Sequence, residues 1–390
     1  MFKKIVTCLL LSLLVSGCAS AKKKVLPSEQ AVYHNNRGIS YLNQQDLEKA
    51  MFEFKTALEL DPDYPEPYNN LGVIYKIKGE YDTAISHFQQ AITKDKKYAS
   101  PHNHLAAVYL AKQNTEAALK SAKKAVKIDP TFSDGHYNLG LVYQEMKKLS
   151  EAEAEFKKAT VLNPQLLPVH LRLAEMYRTQ GKFDLAVIRY RLALNVTNDP
   201  KVWKDLGNLY LEMGEAFKAQ NAFQKALEAD PSTEDAHIQL GIFYLQQRRF
   251  DEAKVEFEKA IEVNPKNEKA YFSIGTLEME KENLDAAIAA FQKAKAVNPA
   301  DANTAYNLGL AFLKSGKTEQ AKEEWEYALT INGKYPRALY NLALLTAKQG
   351  SIQEGGQYYC RFLSASEGEF ATERALAQKF IEQNNISCRN

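Results

Sequence analysis

The sequence predicts an all-α solenoid: tandem helix-turn-helix repeats stacked one on the next, closed at the C-terminal end by one more helix. Three phased series of small residues carry that prediction. The first runs Gly38, Gly72, Ala106, Gly140, Ala174, Gly207, Gly241, Gly275, Gly309 and Ala343, at steps of thirty-four with one step of thirty-three between Ala174 and Gly207. A second, from Ala50 to Ala321, and a third, from Ala57 to Ala328, keep the same phase. Between them recurs an aromatic, at Phe54, Phe88, Phe156, Tyr190, Phe223, Phe257, Phe291 and Trp325. A fixed period of this length marks a repeat architecture, whose units cannot bury their apolar faces alone.

Composition agrees with one continuous array. Charge, alanine, tyrosine and leucine are spread evenly from about residue 30 to residue 365. Lys+Arg (50) and Asp+Glu (48) nearly cancel, and without Lys3 and Lys4 they cancel fully. Nucleic-acid binding needs a basic excess to neutralise phosphates, and there is none.

Residues 1–17 read as an export signal. Lys3 and Lys4 form a basic start, and Ile5 to Val15 is an apolar run too short to span a bilayer. Leu14-Val15-Ser16-Gly17-Cys18 follows and closely resembles the bacterial lipobox. That resemblance implies cleavage before Cys18 and acylation of its thiol, an anchor above the two-signal threshold for stable attachment. An ordinary secretory signal cut after Gly17 or Ala19 is the alternative. Ala19 and Ser20 follow, with no aspartate after the cysteine, a pattern that resembles sorting to the periplasmic face of an outer membrane. Residues 18–30 are then a tether, in which Lys22, Lys23 and Lys24 either touch anionic headgroups or stay solvated.

Pro27 and Ser28 signal the first helix start. Within each unit, apolar residues fall at i, i+3, i+4 and i+7, the period of an amphipathic helix. First helices end near a glycine (Gly79, Gly181, Gly214, Gly316, Gly350), where a left-handed cap is cheap. Second helices end at Asp-Pro or Asn-Pro steps such as Asp61-Pro62 and Asn264-Pro265, because proline disfavours helix in the residue before it. Small residues mark places where helices approach closely, and the aromatics fill the gaps left.

These residues closely resemble the tetratricopeptide repeat. The resemblance implies a right-handed superhelix of about ten units over 31–368, starting at Ala31, Pro65, Ala99, Ser133, Leu167, Pro200, Glu234, Glu268, Ala302 and Pro336. The tenth departs from the pattern, with Gly355 and Phe362 where other units have alanine. In the last stretch, 369–390, Glu369 to Gln383 reads as an amphipathic helix capping the final repeat. Cys360 and Cys388 are expected to bridge in an oxidising compartment, at roughly 3 kcal/mol; two free thiols are the alternative.

Several motifs imitate chemistry. Ala311 to Thr318 looks like a phosphate loop without its first glycine, but it falls on an inter-helix turn and no strand precedes it, so no nucleotide is expected. His34, His102, His136, His170 and His237 share one repeat position, held elsewhere by Tyr68, Trp203 and Tyr271. That is a packing position, and copies a repeat apart suit no single metal. No catalytic constellation, metal or cofactor is expected.

By resemblance, the first helices line a concave face through the second, fifth, sixth, ninth and twelfth positions of each unit. Asn36, Asn70, Asn138, Asn307 and Asn341 stand at the sixth, a ladder of amides suited to a peptide backbone; asparagine is also simply frequent there in the family. Ile238, Ile242, Leu245, Phe272, Tyr306 and Tyr340 make an apolar stripe in units seven to ten. Arg172 and Arg178 lie in unit five. An apolar stripe rimmed by charge is the usual mark of a protein-binding groove.

The function expected is a non-enzymatic scaffold holding an extended peptide or helix. Lipobox and repeats together resemble the pilotin lipoproteins of type IV pili, which help an outer-membrane secretin insert and multimerise. An adaptor for peptidoglycan hydrolases or polysaccharide export is the alternative, and an enzyme with a site in the groove a remote third.

Overall fold

The computed structural model describes residues 26–388, and every regular element among them is a helix. The chain divides into two compact units, Met1–Val169 and His170–Asn390. The first holds four helix pairs: α1 (Glu29–Asn43) with α2 (Leu47–Leu60), α3 (Pro65–Ile77) with α4 (Tyr81–Lys94), α5 (Ala99–Ala111) with α6 (Thr115–Ile128), and α7 (Ser133–Glu145) with α8 (Leu149–Leu162). Helix α9 (Leu167–Thr179) starts at the boundary. The second unit continues with α10 (Phe183–Val196), α11 (Pro200–Glu212), α12 (Ala216–Ala229), α13 (Glu234–Gln246), α14 (Phe250–Val263), α15 (Glu268–Glu280) and α16 (Leu284–Val297). It ends with α17 (Ala302–Lys314), α18 (Thr318–Ile331), α19 (Pro336–Lys348), α20 (Ile352–Ala365) and α21 (Ala371–Gln383). Within each unit an odd helix packs mainly on the even helix after it, and odd neighbours such as α5 and α7, or α13 and α15, also touch. No helix among the described residues is long and apolar enough to cross a membrane. The signal segment and Cys18 lie outside the described residues.

The core repeats one contact. The Phe88 ring lies so close to the Gly72 backbone that a Cβ there would stand 2.6 Å from it. Gly38 and Phe54, Gly140 and Phe156, Gly207 and Phe223, and Gly241 and Phe257 do the same. Glycine is therefore a packing requirement at these positions. Unit three replaces both members, with Ala106 and Ala122, and both are fully buried.

Every first helix ends on a residue with positive φ. Five are the expected glycines; the other five are Gln45, Gln113, Lys147, Arg248 and Glu282, with φ between 56° and 62°. The next amide in each turn donates back to the helix, as Glu80 N does to Tyr75 O (2.9 Å) and Lys148 N to Tyr143 O (2.9 Å). That bond satisfies an orphan carbonyl and holds the left-handed residue in place. Composition at the glycine position therefore reveals only half of these turns.

Most second helices end on Asx turns, the exceptions being α10, which ends at Thr197, and α20, which ends at Ser366. The side-chain oxygens of Asp61, Asp129 and Asn264 accept from backbone amides two residues on, at 3.0, 2.8 and 3.0 Å. Asp95 and Asn332 make the same turn without a following proline, at 2.8 and 3.1 Å. The acidic or amide residue is thus the common element, with proline an addition.

The tenth repeat forms fully. Gly355 lets α20 approach α19, since a Cβ there would be 2.9 Å from the Ala343 carbonyl. The closing helix is shorter than expected: Phe370 sits in left-handed conformation as N-cap, and α21 starts at Ala371. Ala377, Phe380 and Ile381 cover Leu339, Ala343, Tyr359 and Phe362. Cys360 and Cys388 are joined by a disulfide with their Cα atoms 5.5 Å apart.

Candidate protein-binding groove

In the second unit, odd helices α13, α15, α17 and α19 border an open cavity of about 1160 Å³. Amphipathic helices paired by their small-residue faces leave the opposite face of each odd helix uncovered, and the cavity lies along it. Ile242, Leu245 and Phe272 form its half-buried apolar wall. Ile238, expected in the exposed stripe, is only 2 % exposed; it is clamped between Ala260 and Ala270 and serves as floor.

The acids at the groove are mostly committed to the fold. Glu268 accepts from Asn298 Nδ2 at 2.9 Å and from the Thr304 hydroxyl at 3.4 Å. Asp301 caps α17, accepting from Thr304 N at 2.8 Å and its hydroxyl at 2.6 Å. Burial works against the Asp301 carboxylate, yet these bonds hold its pKa below the ordinary range. Arg248, Lys269, Arg337 and Glu280 also line the cavity and make no ion pair among the described residues. The charge left over is cationic, three bases against one acid.

The other residues singled out in the sequence fall elsewhere. Asn70 donates to Asn35 Oδ1 (2.9 Å), Asn138 to Asn103 Oδ1 (2.7 Å) and Asn341 to the Tyr306 hydroxyl (3.3 Å). Each amide reaches the fifth position of the preceding repeat, so these asparagines are rungs between repeats. Asn307 donates to Asn303 O in its own helix at 2.8 Å, and Asn36 is exposed. Of the five, only Asn307 lines the cavity. The Tyr340 ring packs against Phe362 and Tyr359, and burial raises its pKa. Burial does the same to Tyr306.

Arg178 is not free for a ligand. It pairs with Glu175 at 2.7 Å and with Glu212 at 2.6 Å, tying α9 to α11. Arg172 is exposed, and neither arginine borders the cavity. Sequence reasoning missed Arg248, Lys269 and Arg337. Two of them carried a signal: Lys269 and Arg337 occupy second positions of their repeats, which the resemblance places on the concave face.

The imitations of chemistry resolve into structure. Gly316 and Lys317 donate their backbone amides to Leu313 O (3.0 Å) and Phe312 O (2.9 Å), and Lys317 Nζ pairs with Asp285, so no phosphate cradle forms there. His34, His136 and His237 each pair through Nδ1 with a glutamate nineteen residues on: Glu53 (2.7 Å), Glu155 (2.5 Å) and Glu256 (2.6 Å). Among the described residues no three metal-ligating side chains converge.

Stacked helix pairs with an open odd-helix face define a helical-repeat protein. Profiles described as TPR repeat match residues 38–77, 74–113 and 108–147, and profiles described as tetratricopeptide repeat match 133–166 and 169–201. The chain is a tandem tetratricopeptide-repeat protein, a class of protein-interaction scaffolds. A profile described as the cilia and flagella-associated protein 70 C-terminal domain matches 195–388. No curated protein sequence matches the chain. The solved C-terminal part of a TPR repeat-containing protein from Cytophaga hutchinsonii superposes with a TM-score of 0.53 at 21% identity, covering 61% of this chain and 98% of that one. PilF of Pseudomonas aeruginosa gives 0.44 at 21%, covering 57% and 98%. Yeast Tom70 gives 0.49 at 14%, covering 91% and 96%. At these identities the likeness is one of fold.

Proposed function

We propose that the chain is a lipid-anchored, non-enzymatic scaffold that seats an extended or helical segment of a partner protein in the α13–α19 groove. The observation that carries this reading is the pairing of an apolar wall, Ile242, Leu245 and Phe272, with Arg248, Lys269 and Arg337, three bases outside any ion pair among the described residues. An apolar centre excludes water while rim charges choose the partner. The anchor rests on the Leu14–Cys18 sequence. Acylated there and sorted to the periplasmic face of an outer membrane, the scaffold serves as an assembly factor for an envelope machine, in the first instance a type IV pilus secretin.

The test compares secretin multimers in cells that lack the protein, carry it, or carry the double variant Phe272→Asp, Arg337→Glu. Loss of multimers in the first and third supports the reading. Normal multimers without the protein sink the secretin assignment, and co-purified peptidoglycan hydrolases or polysaccharide-export subunits then favour an adaptor. Fractionation of a Cys18→Ala variant tests the anchor separately, since unchanged membrane location refutes lipidation as its cause.

A further inference from the structure

Three repeats share a histidine–glutamate pair that unit three lacks, as does unit five, where Arg189 stands nineteen residues after His170. In repeats one, four and seven a histidine on the odd helix faces a glutamate nineteen residues later on the even helix, and each pair closes within hydrogen-bond distance. In unit three the histidine is His102 and the residue nineteen on is Ser121. Serine is too short and carries no charge. The His102 ring makes no hydrogen bond among the described residues: its Nδ1, the atom that meets glutamate in repeats one, four and seven, has no ion pair, and its buried Nε2 lacks the carbonyl partner that His136 and His237 find in Pro130 and Pro231. Burial, and the charge of Lys124, hold the imidazole below its ordinary pKa.

Beside this vacancy, between α5 and α6, lies a pocket of about 650 Å³. Lys120, Lys123, Lys124 and Lys127 border it, and Leu105 and Tyr109 give it an apolar side. The four lysines are exposed and make no ion pair among the described residues. Lys123 alone has another contact, with its ammonium 6.0 Å from the Tyr143 ring centre. Elsewhere in the chain lysines are commonly paired between repeats, as Lys78 is with Glu48 and Lys112 with Asp82. Four unpaired cations on one helix repel one another and stay stable only in water or against an anion.

We infer that this pocket docks an acidic segment of a protein partner, one carboxylate taking the place beside His102 that Glu53, Glu155 and Glu256 hold in the sister repeats. Further carboxylates of the segment meet the lysines, and its apolar side chains cover Leu105 and Tyr109. Phosphate fits less well. A helix N-terminus with free backbone amides is a ready-made phosphate site, whereas lysines alone bind phosphate only as point charges. Here the lining residues lie inside helices, and the N-terminus of α6 is already capped by Asn114, which accepts from Ala117 N at 3.1 Å. The site is separate from the α13–α19 groove and stands or falls without it.

The experiment titrates the full chain with a short synthetic peptide of glutamates and leucines, and with the same peptide carrying glutamine for glutamate. Calorimetry gives affinity, and the imidazole proton resonances of His102 report the site. The glutamate peptide is expected to bind and shift those resonances, and the glutamine peptide to do neither. Ser121→Glu restores the sister-repeat pair within the chain and is expected to weaken binding about tenfold or more, with helical circular dichroism unchanged. Lys120→Gln with Lys124→Gln is the second variant, expected to weaken binding while leaving Ser121 intact. Undiminished binding by Ser121→Glu overturns the proposal. So does absence of peptide binding in the unaltered chain, or phosphatidylglycerol vesicles taking the site in preference to the peptide.

Discussion

The indole of Trp325 lies across the backbone of Gly309: its N–H donates to the Tyr306 carbonyl at 3.1 Å, and a Cβ on Gly309 would collide with the indole nitrogen. The same relation, without the hydrogen bond, joins a glycine to a phenylalanine sixteen residues later in six other repeats. Small residue and large ring are one packing unit, so neither changes alone without cost.

A double-mutant cycle exposes that coupling. Gly72→Ala is expected to cost about 1–3 kcal/mol by overpacking, and Phe88→Ala about 3–5 kcal/mol by leaving a cavity. The double variant reproduces the alanine pair of unit three and should fall short of the sum by about 1 kcal/mol or more. Chemical denaturation measures all three, and strict additivity would argue against a shared contact.

The five left-handed turns without glycine are sites of stored strain. Lys147→Gly and Gln113→Gly each remove a Cβ from a positive-φ residue and should stabilise the fold by roughly 1 kcal/mol. Gly79→Ala, at φ 79°, should lose a similar amount. Melting temperatures decide the matter: a fall on Lys147→Gly contradicts the reading.

His104 should make the fold acid-sensitive. Burial, then the charge of Lys76, lowers its pKa from 6.5 to about 4, and its ring stacks on Phe88 at 5.3 Å. A depressed histidine pKa means the unfolded chain binds the proton more readily. The penalty is absent above pH 6.5, grows as pH falls through the window from 6.5 to 4, and is complete below it, on the order of 3 kcal/mol. His104→Phe should flatten that part of the stability profile, measured by denaturation at successive pH values. An unchanged profile refutes the assignment.

Reduction of the Cys360–Cys388 bridge should loosen the C-terminal end. The bridged positions are 28 residues apart, and closing a loop of that length is worth about 3.5 kcal/mol in the chain-entropy account. Cys388→Ser should raise amide exchange in α20 and α21 and leave α1 to α8 unaffected. Uniform protection in both forms would contradict it.

Much of this protein was determined by its sequence alone. The thirty-four-residue phase named the helix pairs and their small-residue contacts, because a periodic pattern constrains packing locally and the constraint recurs in every repeat; the closing helix was legible from its own amphipathic pattern. What only the tertiary structure decided concerns charge and neighbours. It turned Asn70, Asn138 and Asn341 from ligand contacts into rungs between repeats, spent Arg178 on Glu175 and Glu212, and sank Ile238 into the floor. It also left Arg248, Lys269 and Arg337 without ion pairs among the described residues, and left His102 beside Ser121. A side chain's polarity is written in the sequence, but whether its hydrogen bonds and charge remain available depends on which repeat stands beside it.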